Sequence, residues 1–221
     1  MHFSTRAGEC TMRWFGGQSP PAPPQSDTLN PMPLNPHSYA PAIVELLQSE
    51  VSNDLGPGNP QVDARSALAR LTPESITAPH PVKDMDMARA CLAALWLRHD
   101  FLDESHRISQ DIESPSGSFW HGILHRREGD FGNAKYWFQR VGRHPIFEPL
   151  ARCSRELAAD GKARPAAEYL IGQTEWDPFA FVDLCQRAQT GDPSLEALAK
   201  GIQQREWELL FDHCYRQAIG T

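Results

Sequence analysis

Three observations predict an all-α chain. Strand signals are missing: β-branched residues are sparse and no alternation of period two persists. Helix starts and stops recur, as in the matched pairs Asp177-Pro178 and Asp192-Pro193 and the terminating Gly129, Gly172 and Gly191. Several segments are apolar almost all round, above all Ala88 to Leu97, where Arg89 is the only polar residue, and such a helix belongs at the centre of a fold.

Size and charge narrow the classes. A chain of 221 residues, 40% of them hydrophobic, suits one domain with a tail. A net charge of −7 argues against nucleic acid or an anionic membrane as the main partner. No apolar run approaches the length of a membrane span, and no apolar stretch follows a charged start at the N-terminus. The five cysteines (Cys10, Cys91, Cys153, Cys185 and Cys214) are dispersed without a CxxC pair, which reads as reduced thiols in a cytoplasmic protein.

Residues 1–40 are expected to be a disordered Pro-rich arm, since Pro20, Pro21, Pro23, Pro24, Pro31, Pro33 and Pro36 sit among Ser, Gln and Asn. Residues 41–221 are expected to form a single helical domain. Pro41 opens a short helix to Ser52, with Ile43, Leu46 and Leu47 on one face, and Val62–Leu71 is a second, ended before Pro73. The prolines at 79 and 81 make an extended connector. Asp84 starts the strong helix to Arg98. Asp100 or a neighbour then caps a helix through about Ile112, with Phe101, Leu102, Ser105 and Ile108 facing inward. The Pro115-Ser116-Gly117 run breaks it, Ser118 is the expected N-cap of a helix to Glu128, and Asp130 of one to about Val141. Helices over Pro145–Ala159, Ala163–Ile171, Pro178 to Gly191 and Pro193–Ile219 complete the chain. The last has apolar residues on more than one face, so the domain is expected to pack around it.

The stretch from Ser118 to Pro145 resembles a tetratricopeptide repeat, a hairpin of two antiparallel helices joined by a Gly-Asp-aromatic turn. Gly122 stands at the small position of the first helix. Gly129-Asp130-Phe131 makes the turn, Ala134 is the small contact, Phe138 the large one and Pro145 the end. The unit ends one residue early, and Ser118 and His121 stand where the repeat has an early Trp and a Leu. His99-Asp100-Phe101 echoes the turn one unit upstream, with Ser105 near the small position, and Gly191-Asp192 echoes it more weakly. The resemblance implies right-handed stacking of antiparallel helix pairs, and it implies no chemistry. The wider string from Phe101 to Pro145 also resembles an uncharacterised protein family, from which no functional residue carries over.

Chemistry concentrates in the same stretch. His121, His125 and Glu128 follow at i, i+4 and i+7, on one helical face, and two imidazoles on successive turns suit a divalent metal, with Glu128 as third ligand or base. The preceding helix offers Asp103, His106 and Gln110, and the next adds Tyr136 and Arg140, with His144 near its end. Arg126, Arg127 or Arg140 are candidates to hold an anion. HxxxH without the glutamate of HExxH is a weak motif, and each His could instead be paired with a nearby carboxylate. There is no Walker loop, no GxGxxG after a strand and no GxSxG elbow; His213 and Cys214 are helix neighbours and point apart. The first reading is therefore a binding module that takes a protein, a peptide or a small anionic ligand in a His/Arg/Trp-rich groove around residues 101–144. The second is a small metal-dependent or acid/base enzyme using His106, His121, His125 and Glu128, with Asp103 orienting. The third is a structural subunit that pairs through Trp207–Tyr215 of the C-terminal helix as a homo-oligomer.

Overall fold

The computed structural model describes residues 34–160 and 167–221. Most of the Pro-rich arm, residues 1–33, lies outside the described residues, as do residues 161–166, where the helix expected over Ala163–Ile171 begins. The described part of the arm joins the fold early: Pro36–Ser38 form a single 3-10 turn, and Tyr39 and Ala40 are buried. The described residues form helices in the order α1 (Pro41–Gln48), α2 (Val62–Leu68), α3 (Pro73–Thr77), α4 (Met85–Arg98), α5 (Leu102–Ser109), α6 (Pro115–Glu128), α7 (Phe131–Val141), α8 (Phe147–Asp160), α9 (Glu168–Gly172), α10 (Pro178–Ala188) and α11 (Pro193–Ile219), with no strand among them. Among the described residues no helix is long and apolar enough to cross a membrane.

Capping explains most boundaries, including those that differ from expectation. Pro73 opens a helix of its own, because Thr72 caps it and Ser75 answers the cap in a reciprocal capping box. The next departure is at α6, which begins before Ser118. Ser114 is the N-cap, its hydroxyl accepting from the Gly117 amide at 3.1 Å, and Pro115 takes the first helical position. The Pro-Ser-Gly run that reads as a breaker is thus a helix start. Gly117 is needed there: a Cβ would stand 2.4 Å from the Ile112 carbonyl oxygen. Asp100 does not cap α5. It ends α4 in the left-handed region at φ 63°, where Asp is tolerated better than most side chains. The carboxylate of Asp100 then turns inward, to the Asn53 amide at 2.8 Å, the Asn59 backbone amide at 3.1 Å and the Arg127 guanidinium.

As expected, α11 is the central element. It runs 27 residues and packs against α3, α4, α8 and α10. Trp207 donates its indole N–H to the Ala94 carbonyl at 3.0 Å, Phe211 stacks on Trp207 at 4.9 Å, and Tyr39 meets Phe211 and Tyr215 edge-on. Within the Trp207–Tyr215 stretch, which the sequence offers as a homo-oligomer contact, Trp207, Leu210, Phe211, Cys214 and Tyr215 are buried in the chain's own core, while Glu208, Leu209, Asp212 and His213 are half-buried.

The α6–α7 hairpin turns at Gly129, which sits at φ 80° as a left-handed C-cap, and Asp130 caps α7 by accepting from the Asn133 amide at 3.1 Å. Gly122 faces Phe138, and a Cβ there would lie 3.1 Å from the Phe138 ring. Arg126 leaves the same helix toward α11 and pairs with Glu206, both side chains fully buried. Arg127 pairs with Asp100 and donates to the carbonyls of Leu97, Gly56 and Pro57. The expectation that Arg126 or Arg127 holds an anionic ligand is corrected by these pairs, since the carboxylates of the fold already occupy both guanidinium groups.

Candidate metal centre

Two arginines anchored inward fix the rotation of α6, and this turns His121 and His125 toward α5. The i, i+4 spacing stacks the two imidazoles on successive turns, with ring centroids 4.7 Å apart. His106 reaches them from α5, its Nε2 standing 3.1 Å from Nε2 of His121. One nitrogen from each of the three rings lies within 4.8 Å of the others. His121 and His125 are buried, while His106 is half-buried and gives the cluster an open side.

Neighbours orient these rings. The Glu128 carboxylate accepts from Nδ1 of His125 at 2.8 Å, which leaves Nε2 of that ring as the lone-pair nitrogen. Trp137 of α7 stacks on His121, with centroids 4.0 Å apart and planes 24° apart. The Arg140 guanidinium lies 5.2 Å over the Trp137 ring, and Tyr136 is exposed beside it. The Asn133 amide nitrogen is 3.1 Å from Nε2 and 3.4 Å from Nδ1 of His125. Being nearly equidistant from both, it lies across the ring and off the lone-pair axis of either nitrogen.

Burial pulls the His121 pKa down to about 3, helped by the nearby His125 and His106 and opposed by the Ser109 backbone. The ring is therefore neutral at neutral pH, the form that ligates a metal. Its Nδ1 makes no hydrogen bond of ordinary geometry.

Neutral imidazoles at tetrahedral positions around zinc, with Zn–N of about 2.0–2.1 Å, stand roughly 3.3 Å from one another. The His106–His121 pair is already that close, and a metal would draw the third nitrogen in from a separation of no more than 4.8 Å. The donor set is all nitrogen, which favours zinc, copper, nickel or cobalt over magnesium or calcium.

Of the residues singled out by sequence, His106, His121 and His125 come together, and Glu128 lies in the layer behind them on His125. Tyr136 and Arg140 flank the cluster through Trp137. Asp103 and Gln110 are exposed and bond to none of the three rings. Two contributors went unnoticed in the sequence, Asn133 and Trp137. The predicted turn does carry that signal, because it folds the first turns of α7 back along the last turns of α6.

The other titratable clusters are occupied structurally. His144 accepts the Ile146 backbone N–H on Nδ1 at 3.4 Å, so its Nε2–H donates to the Ser116 hydroxyl at 3.0 Å. With its proton on that side, His144 is no base for Ser116. His213 faces His144, and Cys214 is buried with its thiol pushed up to about 12 by burial, so His213 and Cys214 do not form a nucleophile–base pair.

Compared with family models, with curated proteins and with solved structures, the chain matches none.

Proposed function

We propose that this protein is a helical metal-binding domain in which His106, His121 and His125 hold one divalent transition metal and Glu128 orients His125. The observation that carries the reading is the convergence of three imidazole nitrogens within 4.8 Å on two helices, two of the rings buried. Three protein ligands and a half-buried third ring leave a coordination position open, the arrangement of a site that works on a ligand rather than one that only staples a fold. The scaffold is read as tetratricopeptide-like stacking of helix pairs. Supporting it are the glycine-capped α6–α7 hairpin and the close approach of Gly122 to Phe138. A cytoplasmic setting is supported by the buried free thiols of Cys91, Cys153, Cys185 and Cys214.

A second reading, a protein- or peptide-binding face on the same helices, is favoured by the exposed Tyr136 and by Arg140 beside Trp137, residue types that concentrate in binding hot spots.

Equilibrium dialysis against Zn²⁺, followed by elemental analysis, tests the first reading. One equivalent is expected per chain, lost in a His121→Ala/His125→Ala variant whose circular dichroism is unchanged and strongly weakened in His106→Ala. A chain that retains no metal, or one whose metal survives all three substitutions, overturns it.

A further inference from the structure

We propose that the open position of this centre takes a small anion, and that the Asn133 side-chain amide donates the hydrogen bond that holds it. The inference rests on the metal-binding reading and names what the site is for. Three neutral imidazoles bring no negative charge, so a divalent cation held by them keeps both of its positive charges. Among the described residues the one carboxylate in contact with the cluster, Glu128, faces Nδ1 of His125, the ring nitrogen that is not available to the metal. Arg140 adds positive potential on the Trp137 side, and among the described residues no carboxylate lies within ion-pair distance of it. An anion is the ligand this balance of charge selects.

Asn133 gives that anion a fixed partner. Its amide nitrogen lies within 3.1 Å of Nε2 of His125 without occupying the lone-pair axis, so a metal can enter beside it and need not displace it. Among the described residues that nitrogen contacts only the His125 ring, which leaves its second N–H available to a ligand the metal holds, and side-chain amides are used in this way to stabilise bound oxyanions. Asn133 stands in the first turn of α7, where its backbone N–H is held by the Asp130 cap at 3.1 Å, and that cap survives truncation of the side chain.

The test uses the full chain loaded with Co²⁺, whose visible absorption reports coordination, titrated with azide and, in a parallel arm, with acetate. The expected result is a saturable change in the visible bands for wild type. Asn133→Ala should bind azide about tenfold or more weakly, as the loss of a hydrogen bond to a charged group implies. Its affinity for Co²⁺ should be unchanged or higher. Asn133→Asp, which places a negative charge where the donor stood, should bind neither anion. The proposal is overturned if azide and acetate leave the spectrum of wild type unchanged, or if Asn133→Ala binds them as tightly as wild type. A chain that takes up no Co²⁺ refutes the metal-binding reading itself, and this outcome is told apart from the others before any anion is added.

Discussion

Replacing Glu206 by glutamine leaves the Arg126 guanidinium without a counter-charge in a place water does not reach. Both side chains are 0% exposed, Arg126 Nη1 donates to Glu206 Oε1 at 3.1 Å and Nη2 to the second oxygen, so the pair is bidentate. Removing one partner of such a pair costs about 3–5 kcal/mol, because the remaining charge stays desolvated and unpaired. The neighbours give little relief: Phe181 and Phe138 are the aromatic faces nearest the guanidinium, at 4.6 and 6.0 Å. Against a domain stability of roughly 5–15 kcal/mol this is a large fraction of the total. Urea unfolding of Glu206→Gln, followed by circular dichroism, should show a midpoint lowered by roughly 1–2 M for a slope of about 2–3 kcal/mol per molar. The double change Arg126→Met with Glu206→Leu should recover most of the loss, since a buried pair exchanged for apolar groups of similar volume is close to neutral. A loss below about 1 kcal/mol in Glu206→Gln would refute the claim that this pair is dry and that it anchors α6 to α11. Equal losses in the single and double variants would locate the cost in packing instead of in charge.

Three further outcomes follow from the same structure. Glu128→Ala should weaken zinc binding about 10–100-fold by dialysis while leaving the urea midpoint nearly unchanged, because it removes an orienting acceptor from His125 at the surface. Acid should destabilise the metal-free protein through its buried histidines. Burial and the facing His213 lower His144 to about 3, with the Ser116 hydroxyl and the Ile146 backbone N–H its other polar contacts, so the unfolded chain binds the extra proton as pH falls below the ordinary imidazole range near 6.5. At pH 5 this one group should remove about 1–2 kcal/mol relative to pH 7, and His144→Gln should flatten that part of the stability profile. Gly58→Ala should cost about 2 kcal/mol or more in the same unfolding assay, because Gly58 lies at φ 72° and an added Cβ would fall 2.3 Å from the Asp100 carboxylate.

Much of the scaffold is legible in the chain because its signals are local. Asp84, Asp130, Asp177 and Asp192 each cap the helix they precede, and the apolar faces of α4 and α11 are buried as their composition demands. The boundary errors are local too, and arise where one residue type has two uses. Pro73 and Pro115 read as breakers because proline cannot continue a helix, yet each begins one behind a Thr or Ser cap. Asp100 reads as an N-cap because Asp so often is one; here its carboxylate serves Arg127 and a loop far away in sequence. At the site, the i, i+4 pair His121 and His125 follows from helical geometry alone. That His106 completes the set depends on how α5 and α6 cross, which no spacing in the chain encodes, whereas Glu128 behind His125, three residues on along α6, follows from helical geometry like the histidine pair itself. Arg126 and Arg127 show the same limit. Their sequence environment is that of a solvated basic run, and only the placement of Glu206, eighty residues on, makes Arg126 a buried anchor.

Whether three imidazoles, and no sulfur, hold one metal in this fold is read out by X-ray absorption at the zinc edge of the loaded chain. A first shell of nitrogen or oxygen scatterers at about 2.0–2.1 Å is expected, with the outer-shell pattern of three imidazole rings, reduced by one ring in His106→Ala. A shell containing sulfur at about 2.3 Å, or one whose imidazole pattern is the same in wild type and His106→Ala, would contradict that coordination.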